Sequence, residues 1–298
     1  MSSDSDFGQI QVGIIGGSGL YDLDGLTDVR RLNVPTPYGD PSDTLVVGSL
    51  AGVQVAFLPR HGRDHRITPT HVPARANIHA LKSLGVRQVI SVSAVGSLRE
   101  DFRPGDLVVP DQIVDRTGPR RGTSFFDGNV VVHVPFGEPF CTRLRPELVN
   151  AARAGSPATV HPSGTYCCME GPQFSTRAES ELYRSWGLDI IGMTAVPEAK
   201  LAREAELCYA GLALVTDYDC WRADHEDVSA KGVAAQMREN SAAAKASLAT
   251  LIKSLDVDAE CSCHGVLAES VITPLSALSD QDRERHRVLL GKYLAKAG

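Results

Sequence analysis

The 298-residue chain lacks several features that would each have directed attention elsewhere. It has no surplus of basic residues: 30 Lys and Arg stand against 36 Asp and Glu, a net charge of −6. That excludes a global positive field for nucleic acid. An anionic ligand must then be met locally, by Arg, His and backbone N–H groups. No apolar run approaches the roughly 18 residues that a membrane span requires. The opening MSSDSDFGQI has no basic stretch followed by an apolar one, the mark of a secretion signal. The seven cysteines are odd in number and show no repeating framework, in a chain too long to need covalent staples. The expectation is a protein of the reducing cytoplasm, with no membrane and no nucleic-acid partner. Internal repeats and low-complexity linkers are also missing. Residues 1–298 are therefore expected to form a single domain, with 1–9 disordered and 257–298 a less regular C-terminal extension ending in a helix.

One further absence is specific. VGIIGGSGLYDL, residues 12–23, resembles the start of a dinucleotide site but lacks its G-x-G-x-x-G pattern. From Gly17 the third glycine position holds Asp22; from Gly13 the second holds Ile15. What remains is a strand running into a turn rich in N–H groups with Ser18 at its tip. Such a turn holds an anion, or it is a tight turn that needs glycine for its backbone angles. The segment by itself leaves both open.

Short β-branched runs predict strands over Val12–Ile15, Thr44–Val47, Val53–Leu58, Gln88–Val92, Leu107–Pro110, Thr165–Met169, Asp189–Gly192 and Tyr209–Val215. Helical patterns fall between them, over Pro73–Leu84, Arg177–Trp186, Pro197–Leu207 and Ser229–Leu255, the last with Ser229 as N-cap. The alternation predicts an α/β fold around a central sheet.

The chemistry-bearing segments follow strand ends, where open α/β sheets gather ligands. In FLPRHGRDH, Arg60 and His61 sit closest to the strand end and form a local positive site; Arg63, Asp64 and His65 read as a solvated turn. In SVSAVGSL the strand runs into Ser93, Ala94, Gly96 and Ser97, a small-residue loop with hydroxyl and N–H donors. MEGPQFSTRAES offers Phe174, a flat ring that stacks on a base or plugs the core over a helix start. Met193 and Thr194 follow another strand. LALVTDYDCW ends an apolar strand in Asp217 and Asp219. A half-desolvated carboxylate there has a raised pKa and can protonate a leaving group. In an extended segment the two Asp project to one side; the competing reading makes them turn or capping residues.

Taken in order, GGSGL, PRHG, SAVGSL, EGPQFSTRAE, MTAVPE and TDYDCW resemble the trimeric purine nucleoside phosphorylases, and within them the 5′-methylthioadenosine phosphorylases. The likeness runs from about Gln11 to about Leu255. It implies the nucleoside phosphorylase fold: one α/β domain with a central distorted mixed sheet flanked by helices, assembled as a homotrimer with sites near subunit interfaces. It implies no metal and no organic cofactor, inorganic phosphate being the second substrate. Under the resemblance Ser18, Arg60, His61, Ser93, Ala94 and Thr194 would bind phosphate. Met193 would meet the ribose, Phe174 and Ser175 the purine, and Asp217 and Asp219 its N6–N7 edge, with Asp217 as the catalytic acid. Val228, Ala230, Val233 and Ala234 would line the 5′ pocket, closed by His133 and Ile272 of a neighbouring subunit. The C-terminal extension would pack near the active site.

The implied reaction is phosphorolysis of 5′-deoxy-5′-substituted adenosines. The alternatives are a purine nucleoside phosphorylase of broader specificity, a non-catalytic nucleoside-binding protein and, against the missing glycine, a dehydrogenase. Ala230, Val233, Ala234 and Met237 also form one helical stripe, which for Met237 reads as ordinary core packing. Cys261, Cys263 and His264, in CSCHG, are a metal-site fragment with no fourth ligand evident. They also resemble a C-x-C pair that forms a disulfide in some thermophile relatives. The expectation here is free thiols on a mobile tail, with Cys141, Cys167, Cys168, Cys208 and Cys220 as packing residues.

Overall fold

The computed structural model describes residues 9–17, 25–222 and 228–297. Ser18 and residues 1–8 lie outside them, so the readings made for Ser18 and for all but Gln9 of the N-terminal segment are not addressed.

In chain order the elements are β1 (Val12–Gly16), β2 (Leu26–Leu32), β3 (Leu45–Leu50), β4 (Val53–Pro59), α1 (Ala74–Ser83), β5 (Gln88–Ser97), β6 (Leu107–Val108) and β7 (Gln112–Arg116). Then come α2 (Leu144–Gly155), β8 (Val160–His161), β9 (Thr165–Met169), α3 (Arg177–Ser185), β10 (Ile190–Gly192), α4 (Ala195–Glu204), β11 (Cys208–Asp217), α5 (Ala230–Ser254), α6 (Asp280–Arg285) and α7 (Arg287–Ala297). The strands join in one mixed sheet, ordered β2-β3-β4-β1-β5-β10-β9-β7, with β11 joining β5 to β6 and β6 reaching β8. β1 lies parallel to both β4 and β5, and β11 parallel to β5.

Both faces of the sheet are covered, which is why its central strands read as unbroken apolar runs rather than alternating ones. Successive side chains still point to opposite faces. Ile14, Ile90, Leu212 and Leu214 join Leu144, Leu148, Leu248 and Leu251 of α2 and α5. Ile15, Val89 and Tyr209 join Ile78, Leu81, Leu201 and Leu290 of α1, α4 and α7. The Ser229 hydroxyl caps α5 by accepting from Gly232 N at 3.1 Å, as expected. Met237 is half-buried against the first of these clusters.

Four differences from the sequence reading matter. β5 does not stop at Val92 but continues to Ser97, because β11 pairs along its length and β10 pairs with Gly96 and Ser97. Ser93 and Ala94 are thus strand residues, not a loop. Short strands β2, β7 and β8 and helix α2 carry too weak a pattern to stand out. Asp217 and Asp219 do not project from one extended segment. β11 is bulged between Val215 and Asp217, and Asp219 has φ +51°, so the chain turns between the two carboxylates. Finally, the C-x-C segment is no mobile tail: Cys261 caps a 3-10 helix over Ser262–Glu269, and Cys263 is buried.

Candidate active site

The central strands are buried almost throughout, and solvent reaches them at their far ends. Gly17 after β1, Ser93 and Ala94 in β5, Gly192, Met193 and Thr194 at the end of β10, and Asp217 closing β11 are all half-buried. The register gathers these points. Ser93 and Ala94 lie opposite Ala213 and Leu214, and Gly96 opposite Asp217. β10 runs antiparallel to this part of β5, with Ile191 opposite Gly96, so Met193 and Thr194 continue toward Ala94 and Ser93. The phenol of Tyr166 is buried near the Ser93 and Thr194 hydroxyls, which oppose the rise that burial gives its pKa. Thr194 occupies the N-cap position of α4 without a side-chain capping bond.

Two glycines allow the close approach. A Cβ on Gly96 would lie 2.8 Å from Asp217 Oδ1; one on Gly192 would lie 2.0 Å from the Tyr166 hydroxyl. Neither separation is tolerable, so any larger residue at either position would displace the site.

Asp217 accepts from the Thr216 hydroxyl at 2.7 Å and from Asp219 N at 2.8 Å. Burial raises its pKa, the charge of Asp219 adds to the rise, and the two donors oppose it. Asp219 is 6% exposed and also raised by burial, with the Ser180 and Ser175 hydroxyls working against the shift. Ser175 is thereby placed beside Asp219, and its carbonyl accepts from the Cys220 thiol at 3.2 Å. Phe174, next to it, is 41% exposed, so it is not a core plug.

Arg60 and His61 follow β4, and Arg60 N bonds Gly16 O at 2.9 Å, tying the ends of β1 and β4 together. The guanidinium is only 3% exposed. It donates through Nε and Nη2 to Glu198 at 2.9 and 3.1 Å, through Nη2 to Ser91 Oγ at 2.7 Å, and through Nη1 to Val92 O at 2.9 Å. Tyr209 donates to the same Glu198 at 2.8 Å. Arg60 is therefore held rigidly beside Ser93 with most of its donors committed. Glu198, buried in α4, is a partner the sequence reading missed. The imidazole of His61 donates from Nδ1 to Ile67 O at 2.8 Å, since the carbonyl only accepts. Burial first, then the charge of Arg60, lowers its pKa to about 4, so the ring is neutral near pH 7 and Nε2 carries the lone pair. Arg63 pairs with Asp43, and Asp64 and His65 are exposed, as a surface turn should be.

Arg121 was also missed. It is buried and donates to Met193 O at 2.6 Å, Val196 O at 2.8 Å and Glu170 O at 2.6 Å. One side chain thus fixes the turn after β9 to the turn after β10. A single arginine after a polar turn gives no sequence signal for such a role. On α5, Asn240 Nδ2 donates to Val215 O at 2.9 Å, setting the helix against the end of β11. At its start Val228 and Val233 are half-buried, and Ala230 and Ala234 exposed. His133 and Ile272 are brought to each other's segments: His133 N bonds Ser270 O, and Ile272 N bonds Val131 O, both at 2.9 Å. Both residues face outward, Ile272 at 61% exposure.

The comparisons agree with this architecture. The profile of the phosphorylase superfamily matches residues 11–253. The S-methyl-5′-thioadenosine phosphorylase of Geobacter sulfurreducens is 51% identical over 283 residues, 95% of this chain and 99% of that protein. That of Hyperthermus butylicus is 54% identical over 265 residues, 88% of this chain and 95% of the relative. Among solved structures, a methylthioadenosine phosphorylase from an Antarctic soil metagenomic library superposes with a TM-score of 0.90 at 46% identity, covering 95% of this chain and 100% of that one. The Schistosoma mansoni methylthioadenosine phosphorylase in complex with adenine gives 0.81 at 39% identity, covering 88% and 99%. A profile match over most of the chain, full-length relatives near half identity and the shared fold lead to one conclusion: the chain belongs to the phosphorylase superfamily.

Proposed function

We propose that the protein cleaves the N-glycosidic bond of 5′-methylthioadenosine and related 5′-deoxy-5′-substituted adenosines with inorganic phosphate, giving adenine and a 5-substituted ribose 1-phosphate. The observation that carries this reading is the position of Asp217. It is a half-buried carboxyl with a raised pKa, set across β5 from hydroxyls and a buried arginine. One side of the site suits a leaving base, the other an anion. The relatives' names, S-methyl-5′-thioadenosine phosphorylase, supply the substrate class.

As the C1′–N9 bond breaks, Asp217 gives its proton to N7 and the electron pair leaves with adenine. Asp219 accepts from the 6-amino group. Phosphate, accepting from Ser93, Ala94 N–H and Thr194 beside the Arg60 region and giving a P–OH hydrogen bond to the Nε2 lone pair of His61, faces the cationic C1′ and forms the new O–C1′ bond. Ser18, which lies outside the described residues, completes the phosphate set in this reading. Catalysis is mainly placement and charge complementarity. Met193 meets the ribose and Phe174 the base. Val228, Ala230, Val233 and Ala234 line the 5′ pocket, with His133 and Ile272 lent by a neighbour in a homotrimer. Phosphate is the co-substrate, and the reading requires neither cofactor nor metal in the reaction. The setting we infer is the cytoplasm; among the described residues no helix is long and apolar enough to cross a membrane.

A wider specificity is favoured by one observation, the two small exposed residues Ala230 and Ala234 at the start of α5. The test of the function is adenine release from methylthioadenosine, adenosine and inosine side by side, with and without phosphate. Release of adenine from methylthioadenosine that needs phosphate supports the proposal. Equal release in phosphate-free buffer identifies a hydrolase, and binding without release identifies a nucleoside-binding protein; either overturns it.

A further inference from the structure

Four cysteines spread between positions 141 and 263 meet at one place away from the strand ends just described. Cys208 opens β11, Cys141 precedes α2, and Cys261 and Cys263 begin the 3-10 helix of the C-terminal extension. Their sulfurs all lie within 4.8 Å of one another, and Cys141 and Cys261 are 3.6 Å apart. Cys141, Cys208 and Cys263 are buried and Cys261 is half-buried. The sequence offered Cys261, Cys263 and His264 with no fourth ligand; the fold supplies Cys141 and Cys208.

The groups around the cluster donate toward sulfur. Leu144 N reaches Cys141 Sγ at 3.4 Å, Arg143 Nη2 reaches Cys208 Sγ at 3.8 Å, and Arg203 Nη1 reaches Cys263 Sγ at 3.5 Å. His264 is oriented by Arg87, whose Nη2 lies 2.9 Å from its Nδ1. Arginine only donates, so Nδ1 is the acceptor and the ring proton sits on Nε2, aimed at Cys208 Sγ at 3.4 Å. Donors on several sides, two of them guanidiniums, suit ionised sulfur. Ionising several sulfurs packed this closely requires a cation among them.

We propose that Cys141, Cys208, Cys261 and Cys263 form a closed four-thiolate site for a soft tetrahedral cation, Zn²⁺ foremost. Zn–S bonds of about 2.3 Å place tetrahedral sulfurs about 3.8 Å apart, so modest side-chain shifts from the observed spacing suffice. On binding, the thiol protons pass to solvent and no electrons are transferred. The resulting complex, of charge −2, faces the cations of Arg143 and Arg203, and His264 supplies the outer hydrogen bond that steadies a ligand. Four protein ligands leave no open position, so the metal is structural and takes no part in turnover. Its effect is to clamp the C-terminal extension to the sheet and to α2. The extension leads directly to Val271, which bridges to Val132, and to Ile272.

The test uses the tag-free chain purified without chelator. About one zinc per chain is expected, released in step with the addition of a mercurial that takes the thiolates from it; thiol protection alone is no readout, because Cys167 and Cys168 are also buried. Exchange with Co²⁺ should give sulfur-to-metal charge-transfer absorption and the intense visible bands of a tetrahedral tetrathiolate. Withdrawing the metal should lower the Tm. The double variant Cys261→Ser, Cys263→Ser should lose stoichiometric zinc, whereas Cys220→Ser should keep it. A chain purified without chelator that carries no metal, and whose seven thiols all react once it is unfolded, overturns the proposal. So does an intact mass short by four hydrogens, which means two disulfides, and so does zinc retained by the double variant. Should that variant fail to fold, the Co²⁺ spectrum of the wild type decides, and absence of the charge-transfer bands is the negative result.

Discussion

In the proposed reaction, the carboxyl of Asp217 is where burial becomes chemistry. Withdrawn from water and facing Asp219, it holds its proton above the ordinary carboxylate range. An acid that must be protonated to act loses activity as pH rises through its pKa. The alkaline limb of kcat/KM for an adenine nucleoside should therefore contain an ionisation above that of an ordinary aspartate. Asp217→Asn should remove that ionisation and slow the reaction by roughly 10²–10⁴-fold, the usual contribution of a placed general acid. Inosine turnover should suffer less. Full activity of Asp217→Asn on methylthioadenosine would take the acid role from this residue. The Arg60–Glu198 pair makes a different prediction. Both side chains are 3% exposed and doubly hydrogen-bonded. Glu198→Ala leaves a buried guanidinium uncompensated and should cost about 3–5 kcal/mol in urea unfolding. Phosphate should restore part of that loss if it binds beside Arg60, because a ligand of the native state stabilises it. A variant as stable as wild type would mean that the pair contributes no net stability. The sequence showed Arg60 and Asp217 because strand ends are legible. It hid Glu198, Arg121 and Tyr166, whose partners are tens of residues away.

At the scale of elements, β5 and β11 set the site and α5 bounds it. The bulge between Val215 and Asp217 turns the acid toward Gly96, and a bulge next to a site re-aims a side chain in this way. Asn240 then fixes α5 to the same strand end. The first turns of α5 carry Ala230, Val233 and Ala234, and Val228 just precedes them. If these residues line the 5′ pocket, Ala234→Leu fills space there. It should narrow the range toward small 5′ groups, with discrimination changing by ~1–3 kcal/mol, the usual value of a methylene-sized contact. The measurement is the ratio of kcat/KM for methylthioadenosine to that for bulkier 5′-substituted adenosines. An unchanged ranking would move the pocket elsewhere.

For the whole molecule the telling feature is an outward-facing patch. Val131 and Ile272 are 44% and 61% exposed and lie beside His133 on the bridge between Val132 and Val271. An exposed apolar pair next to a polar side chain suits a subunit contact. Light scattering should give three times the 31.9 kDa chain mass. His133→Ala should raise KM for the nucleoside. Co-assembly of the Asp217→Asn and His133→Ala chains should recover activity beyond the sum of the two, since mixed trimers then contain sites intact in both halves. A fully active monomer, or no recovery on mixing, would mean that each site belongs to one chain.

What the sequence determined by itself was local: apolar runs long enough for strands, caps such as Ser229, and polar residues just past strand ends. These specify the α/β class and place Arg60, His61, Thr194 and Asp217 at strand termini, because such signals depend on neighbours a few residues apart. Only the tertiary structure decided the continuation of β5 through Ser93 and Ala94, since sheet pairing with β10 and β11 overrides a run of small residues. It alone decided the turn that separates Asp217 from Asp219. It alone joined Glu198 to Arg60, and Cys141 and Cys208 to Cys261 and Cys263. Those partners are distant in the chain, and spacing along a sequence carries no information about which loops the packing of a core will bring together.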